Sequence, residues 1–294
     1  MSPIVVATDH SSDANRAMLR AAILAKQQDV ELHLLHVIAP LALYPGQELG
    51  SVDDRAIPSS LAEQAEATAR VLRERYAIRV QVAQRIGRTH RQIADYAAKV
   101  EASLVVVGAR GNSSLLRLLL GSTVWRLIRV SRCPVLIVRG EPVVAYRRVL
   151  AAVDFFPHSR AVVDWARRLA AEGHLQTLHA LEPLDESALR AQGMDLAAIK
   201  QEREDMRTIA TNLMANLCAE LPESVLRRVE SRGDRPVESG YPSNIILEVA
   251  TDWHAELIVL GRQGRGGLED FLVGSVSKNV AQEAACDVLL VGTQ

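Results

Sequence analysis

Short apolar runs punctuate this chain, separated by longer stretches in which apolar residues recur every three or four positions. The run at 4–8 is consistent with a buried strand. Asp9, Ser11 or Ser12 then offers a side-chain oxygen to cap a helix whose buried stripe is Ala14, Met18, Ala21, Ala22 and Ala25. The pattern predicts a second strand over 31–38, a helix carrying Leu61, Ala65, Ala69, Leu72 and Tyr76, and a third strand over 79–83. Ile93, Ala94 and Ala97 mark a helix that ends before a strand at 104–107, and a last helix precedes a strand at 134–138. The order then restarts. A strand at 149–153 leads into a helix with Val162, Trp165 and Leu169, closed by Gly173. A long helix holds Met206, Ile209, Ala210, Leu213 and Leu217, and buried strands follow at 257–260 and 288–291. Strands alternating with helices predict a parallel sheet covered on both faces. Ligands in such sheets lie beyond the carboxyl ends of the strands, where strand order reverses, so the residues just after each strand matter most.

The restart is a repeat. Asp9 aligns with Asp154, His36 with His179, Gly87 with Gly233, Gly108 with Gly261 and Cys133 with Cys286, all in the same order. The offset rises from 145 at the first pair to 153 at the last two. The second copy therefore holds about seven extra residues, placed by its Gly, Pro and Ser content in a loop within DRPVESGYPSN. A period near 150 is too long for a solenoid unit and describes a duplicated domain. The expected domains are 1–140 and 146–294, parted near Gly140-Glu141-Pro142.

Composition narrows the function. At 294 residues, 48% hydrophobic and 23% charged, the chain has ample apolar surface to bury. A net charge of −1 gives no field that favours nucleic acid or an anionic membrane. No apolar run reaches the roughly 20 residues that span a bilayer. Three dispersed cysteines, with no CxxC, argue against a disulfide framework or a cysteine zinc site and suit a reducing compartment. The opening MSPIVVATDHSSD lacks a basic signal-peptide region, and the expected location is the cytoplasm.

After the fourth strand of each half stands G-x2-G-x9-G-S: Gly108, Gly111, Gly121-Ser122, and again Gly261, Gly264, Gly274-Ser275. A glycine at a strand end admits a close approach of ligand to backbone. The Gly-Ser pairs open a helix, where free N–H groups and the helix dipole favour phosphate. Each feature also has a plainer reading. The aspartates serve equally well as helix caps, single glycines merely end strands, and Arg110, Arg262 and Arg265 read as solvated charges. His36 and His179 read as packed core residues rather than metal ligands. Cys133 and Cys286 read as small buried hydrophobes, and Trp125, Trp165 and Trp253 as packing. It is the doubling of the glycine pattern, each time with an upstream aspartate, that favours phosphate. GxxxxGK[ST], HExxH and GxSxG are all missing, and no general base with an oriented nucleophile stands out.

On the strand-end aspartates, the LLHVI strand, both glycine elements and the endings CPVLIV and CDVLLV, the chain resembles the universal stress protein family in its tandem two-domain form. The resemblance covers nearly the whole chain. It implies an adenine nucleotide alpha hydrolase-like α/β fold, with a five-stranded parallel sheet in the order 3-2-1-4-5 in each half. It also implies ATP as ligand, with Mg²⁺. By motif, Asp9 and the backbone of Val37 would face adenine, Ala7 and Gly108 the ribose, and Arg110, Gly111, Gly121, Ser122, Thr123 and Val124 the phosphates. In the second half Asp154 and Ala180 take the adenine role and Ala152 and Gly261 the ribose role. Gln263, Gly264, Gly274, Ser275, Val276 and Ser277 would surround the phosphates. Family members often have Ser or Thr three places after the third glycine. Ser277 fits and Val124 does not, which predicts tighter phosphate binding in the second half. The expected function is a non-enzymatic, ATP-binding stress-response protein. Slow ATP hydrolysis and a nucleotide-independent interaction module are the alternatives. Pairing of the two last strands would join the halves as an internal pseudo-dimer, and a homodimer of whole chains is a further expectation.

Overall fold

The computed structural model describes residues 2–38, 59–111, 120–170, 172–181, 184–219, 221, 242–263 and 273–292. The first half runs β1 (Ile4–Thr8), α1 (Ser12–Gln28), β2 (Leu32–Ile38), α2 (Ser59–Tyr76), β3 (Val80–Ile86), α3 (Thr89–Lys99), β4 (Leu104–Gly108), α4 (Ser122–Val130) and β5 (Val135–Val138). The second runs β6 (Arg148–Ala152), α5 (Ser159–Ala170), β7 (His174–Leu178), α6 (Glu186–Ala191), α7 (Leu196–Ala219), α8 (Pro242–Asp252), β8 (Leu257–Gly261), α9 (Ser275–Glu283) and β9 (Asp287–Val291). The first half is all parallel, as the sequence pattern predicts, in the order β3-β2-β1-β4-β5 that the resemblance implies. The described strands of the second half follow β9-β8-β6-β7. The seven-residue insertion and Gly233 lie outside the described residues.

The strands are apolar throughout because both faces are covered. On β1, Ile4 and Val6 join a layer with Ala17, Ala21 and Leu24 of α1, while Val5 points the other way, towards Ile93 of α3 and Leu127 of α4. Of the three candidate caps on α1, Ser11 is the one used: its Oγ accepts from the Ala14 N–H at 3.1 Å. Trp125, Trp165 and Trp253 are partly buried and packed against these layers. Burial raises the Cys133 thiol, and burial together with Asp287 pushes Cys286 up to about 12, so both stay protonated.

The halves meet through their last strands. β5 and β9 pair antiparallel, with Leu136 opposite Leu289, giving one nine-stranded sheet. This is the internal pseudo-dimer that the repeat and the resemblance imply. Asp287, almost wholly buried, is the polar hub of the seam. Its Oδ1 accepts from the backbone N–H groups of Arg139 at 2.7 Å and Gly140 at 3.0 Å, and its Oδ2 from the Tyr146 hydroxyl at 2.6 Å. Arg20 approaches the same oxygen at 3.4 Å and lies over the Tyr146 ring. Burial and the Asp287 charge raise the Tyr146 pKa well above its ordinary value, which keeps the phenol a donor.

Candidate nucleotide site

β1 and β4 are neighbours, and the chain leaves β1 towards β2 on one side and reaches β5 on the other, so strand order reverses between them. Asp9 leaves the end of β1, Gly108 ends β4, and Val37 stands near the end of β2. β6, β8 and β7 bring Asp154, Gly261 and Ala180 together in the same way. The structure thus gathers the predicted residues of each half at one sheet edge. Gly264 lies outside the described residues, as does Arg265.

Each strand-end aspartate pins the turn behind it. Asp9 Oδ1 accepts from the Ser11 N–H at 3.0 Å, and Asp154 Oδ1 from the Phe156 N–H and the Ser159 hydroxyl, each at 3.1 Å. Burial works against the Asp154 charge, but the hydrogen bonds from His158, the Phe156 N–H and Ser159 prevail and lower its pKa. The turn carries a residue in the left-handed region in both halves, His10 at φ 61° and Phe155 at φ 62°. Each lays its ring on the histidine of the second strand. His10 and His36 stand 5.0 Å apart between centroids, Phe155 and His179 4.3 Å. His179 Nδ1 also meets the Val153 carbonyl at 2.8 Å. Burial, then the neighbouring His10, lowers the His36 pKa, so the imidazole is neutral at pH 7. Sequence reading missed His10 and Phe155: phenylalanine does not announce a positive φ, and histidine, though enriched there, is still uncommon in that region. Among the described residues no cluster of three His, Cys, Asp or Glu side chains has metal-ligand geometry.

The glycines divide into two kinds. A Cβ at Gly108 would sit 2.6 Å from the Asp13 carbonyl carbon and 2.9 Å from the Ala14 nitrogen, so this glycine lets α1 pack on β4. At Gly111 a Cβ would meet the Asp9 carboxylate at 2.6 Å, and at Gly261 it would strike the His158 ring. Gly121 differs. Its φ of −60° and ψ of 143° suit any residue, and a Cβ would meet nothing nearer than the Ala109 oxygen at 3.5 Å. Packing against the described residues therefore does not require a glycine there, since such a Cβ would make only ordinary van der Waals contacts.

Gly121 and Gly274 are the N-caps of α4 and α9, and no side chain caps either helix among the described residues. Ser122, Thr123 and Ser275 are exposed there, and Val276 is half-buried. Val124 and Ser277 point inward instead, and Ser277 donates to the Gly261 carbonyl at 2.7 Å. That proton is directed at the strand end, not at the helix mouth. Arg110 reaches back to Asp13, with Nε to Oδ2 at 2.9 Å, and Arg16 pairs with the same carboxylate. Arg262, read from sequence as a solvated charge, instead crosses the seam. Its Nη1 donates to the carbonyls of Ile128 at 3.0 Å and Ser131 at 2.6 Å.

The sequence matches the universal stress protein family over residues 1–139 and again over 145–292. The chain belongs to that family. A universal stress protein of Mycolicibacterium smegmatis is 30% identical over 297 residues, spanning 98% of this chain and 96% of the relative. One from Mycobacterium tuberculosis is 28% identical over 303 residues, spanning 98% and 95%. Among solved structures, a universal stress protein of Archaeoglobus fulgidus superposes with a TM-score of 0.65 over 99% of this chain and 98% of its own, at 21% identity, a likeness of fold. No helix among the described residues of this universal stress protein is long and apolar enough to cross a membrane.

Proposed function

We propose that each half binds an adenine nucleotide, ATP with Mg²⁺, at the edge where its first and fourth strands end. The nucleotide biases a conformation or an assembly rather than being turned over. The observation that carries this reading is the pair of glycine-capped helices. α4 and α9 begin at the sheet's ligand-binding edge, and no described side chain satisfies their first-turn N–H groups. α1, by contrast, has Ser11 as its cap. Exposed Ser122, Thr123 and Ser275 offer hydroxyls for phosphate oxygens, and Asp9 with the backbone of Val37, like Asp154 with Ala180, would face the adenine. The described residues around Gly121 do not demand a glycine for packing, which leaves ligand approach as a reason for one. A signal follows only if the nucleotide binds one state of the protein better than another.

Equilibrium dialysis against ATP and Mg²⁺ tests the proposal on the nucleotide-free chain and on a Gly121→Val, Gly274→Val variant. Saturable binding that the variant loses, with its circular dichroism unchanged, is the expected result. Absence of binding at millimolar ATP, or equal binding by the variant, overturns it. Folding of the variant must be checked with its binding. Gly121 has backbone angles open to valine, so loss of binding there is not forced by strain.

A further inference from the structure

The two guanidinium groups at the seam carry a consequence for the two sites together. Arg262 belongs to the glycine turn of the second half. Its backbone N–H donates to the Val291 carbonyl at 2.7 Å, and its own carbonyl accepts from the N–H of Gly274, the N-cap of α9, at 2.9 Å. Its side chain leaves that half and holds the last carbonyls of α4, Ile128 and Ser131. One residue thus ties the phosphate-facing start of α9 to the far end of α4, whose own start is Gly121.

The first half returns the connection by another route. The Gly121 N–H donates to the Ala109 carbonyl at 2.9 Å, and the Ala109 N–H to Val138 at 3.0 Å. The next residue, Arg139, sends its Nη2 across the seam to the carbonyls of Ala281 at 2.5 Å and Gln282 at 3.2 Å, in the last turn of α9. Repeat alignment makes Ala109 the counterpart of Arg262, and Gly292 the counterpart of Arg139. The guanidinium of Arg262 occupies the space beside Gly292, 3.4 Å from where a Cβ would stand. The two halves therefore place one cation each at the C-terminus of the other's phosphate helix, from positions that the duplication does not relate. A cation and donor at that end order the carbonyls that the helix leaves unpaired and complement its dipole.

We propose that Arg262 and Arg139 are positioning residues that couple the two nucleotide sites across the seam, so that filling one raises the affinity of the other. This rests on the nucleotide-binding reading above. Phosphate at Gly274 and Ser275 fixes the turn that bears Arg262. The fixed guanidinium holds the C-terminus of α4, and the ordered helix presents its first-turn N–H groups to the first site. Arg139 carries the same effect back. Linkage requires the two effects to be equal in free energy.

The test uses the full chain and Mg²⁺–ATP. In a Gly121→Val chain the first site is closed, so added nucleotide fills only the second. Amide hydrogen exchange across Ser122–Val130 should then slow, although no ligand touches α4, and the slowing should vanish when Arg262→Met is added. In calorimetry of the otherwise native chain, the first site should bind about fivefold more tightly once the second is filled, the lower end of ordinary coupling. An Arg262→Met, Arg139→Met chain should bind at both sites independently. Unchanged exchange in α4, independent sites in the native chain, or cooperativity that survives both substitutions each overturn the coupling while leaving nucleotide binding intact. Lack of ATP binding by the native chain removes the functional reading itself, and the coupling with it. If a methionine variant does not fold, the exchange of α4 in the Gly121→Val chain with and without nucleotide still decides whether filling the second site orders that helix, since that comparison needs no arginine substitution.

Discussion

At Gly108 a side chain would drive into the backbone of α1, whereas at Gly121 a Cβ would meet nothing nearer than 3.5 Å among the described residues. Gly108→Ala should therefore cost about 1–3 kcal/mol, the usual penalty of overpacking, and Gly121→Ala no more than about 1 kcal/mol for the poorer cap. Urea midpoints of the two variants check the ordering. Sequence alone could not make this distinction. Both residues belong to one motif, and only the position of α1 separates a packing glycine from an open one. His36 gives a second prediction at this scale. Its folded pKa lies below its ordinary one, so between the two values the unfolded chain binds the proton more readily. This group's contribution therefore falls as pH drops below about 6.5 and levels off once pH is below the folded value. Asp9 and His10 face the same ring. His36→Gln should flatten the urea midpoint between about pH 7 and pH 5, and an unchanged slope would assign the acid loss to other groups.

Helices α4 and α9 occupy equivalent places but are secured differently. Ser277 ties α9 to the Gly261 carbonyl, where α4 has buried Val124. The family resemblance implies that Ser277 adds a phosphate donor. The structure turns its proton to the strand, so Ser277→Ala should lose about 0.5–1.5 kcal/mol of stability in urea and change ATP affinity by no more than about twofold. An affinity loss of about tenfold in calorimetry would instead put Ser277 on the ligand. The elements themselves were largely legible, because alternation of apolar runs with helical stripes is strong when a sheet is buried on both faces. The expected strand at 79–83 extends to Ile86 in β3, whose exposed and half-buried residues carry a weaker pattern than the central strands. Arg139 and Arg262 were not legible. They stand at unrelated repeat positions, so comparing the halves hides their shared role.

Across the whole molecule, the seam depends on a buried carboxylate with partners from both halves. Asp287→Ala would leave the Tyr146 hydroxyl and the N–H groups of Arg139 and Gly140 without their acceptor, and the buried Arg20 charge without its counter-ion. Breaking a buried pair in this way should cost about 3–5 kcal/mol, seen as a lower urea midpoint. A loss under about 1 kcal/mol would mean that the β5–β9 strand pairing and its apolar cover hold the halves together unaided. The duplication and the resemblance predicted two related halves joined through their last strands, but not the cations exchanged between their helices. The function turns on what those helices hold at their other ends. Calorimetric titration of the nucleotide-free chain with Mg²⁺–ATP measures this. Two nucleotides should bind per native chain and one in each of Gly121→Val and Gly274→Val. Absence of saturable heat in the native chain, or a stoichiometry that neither substitution lowers, would contradict the proposed nucleotide binding.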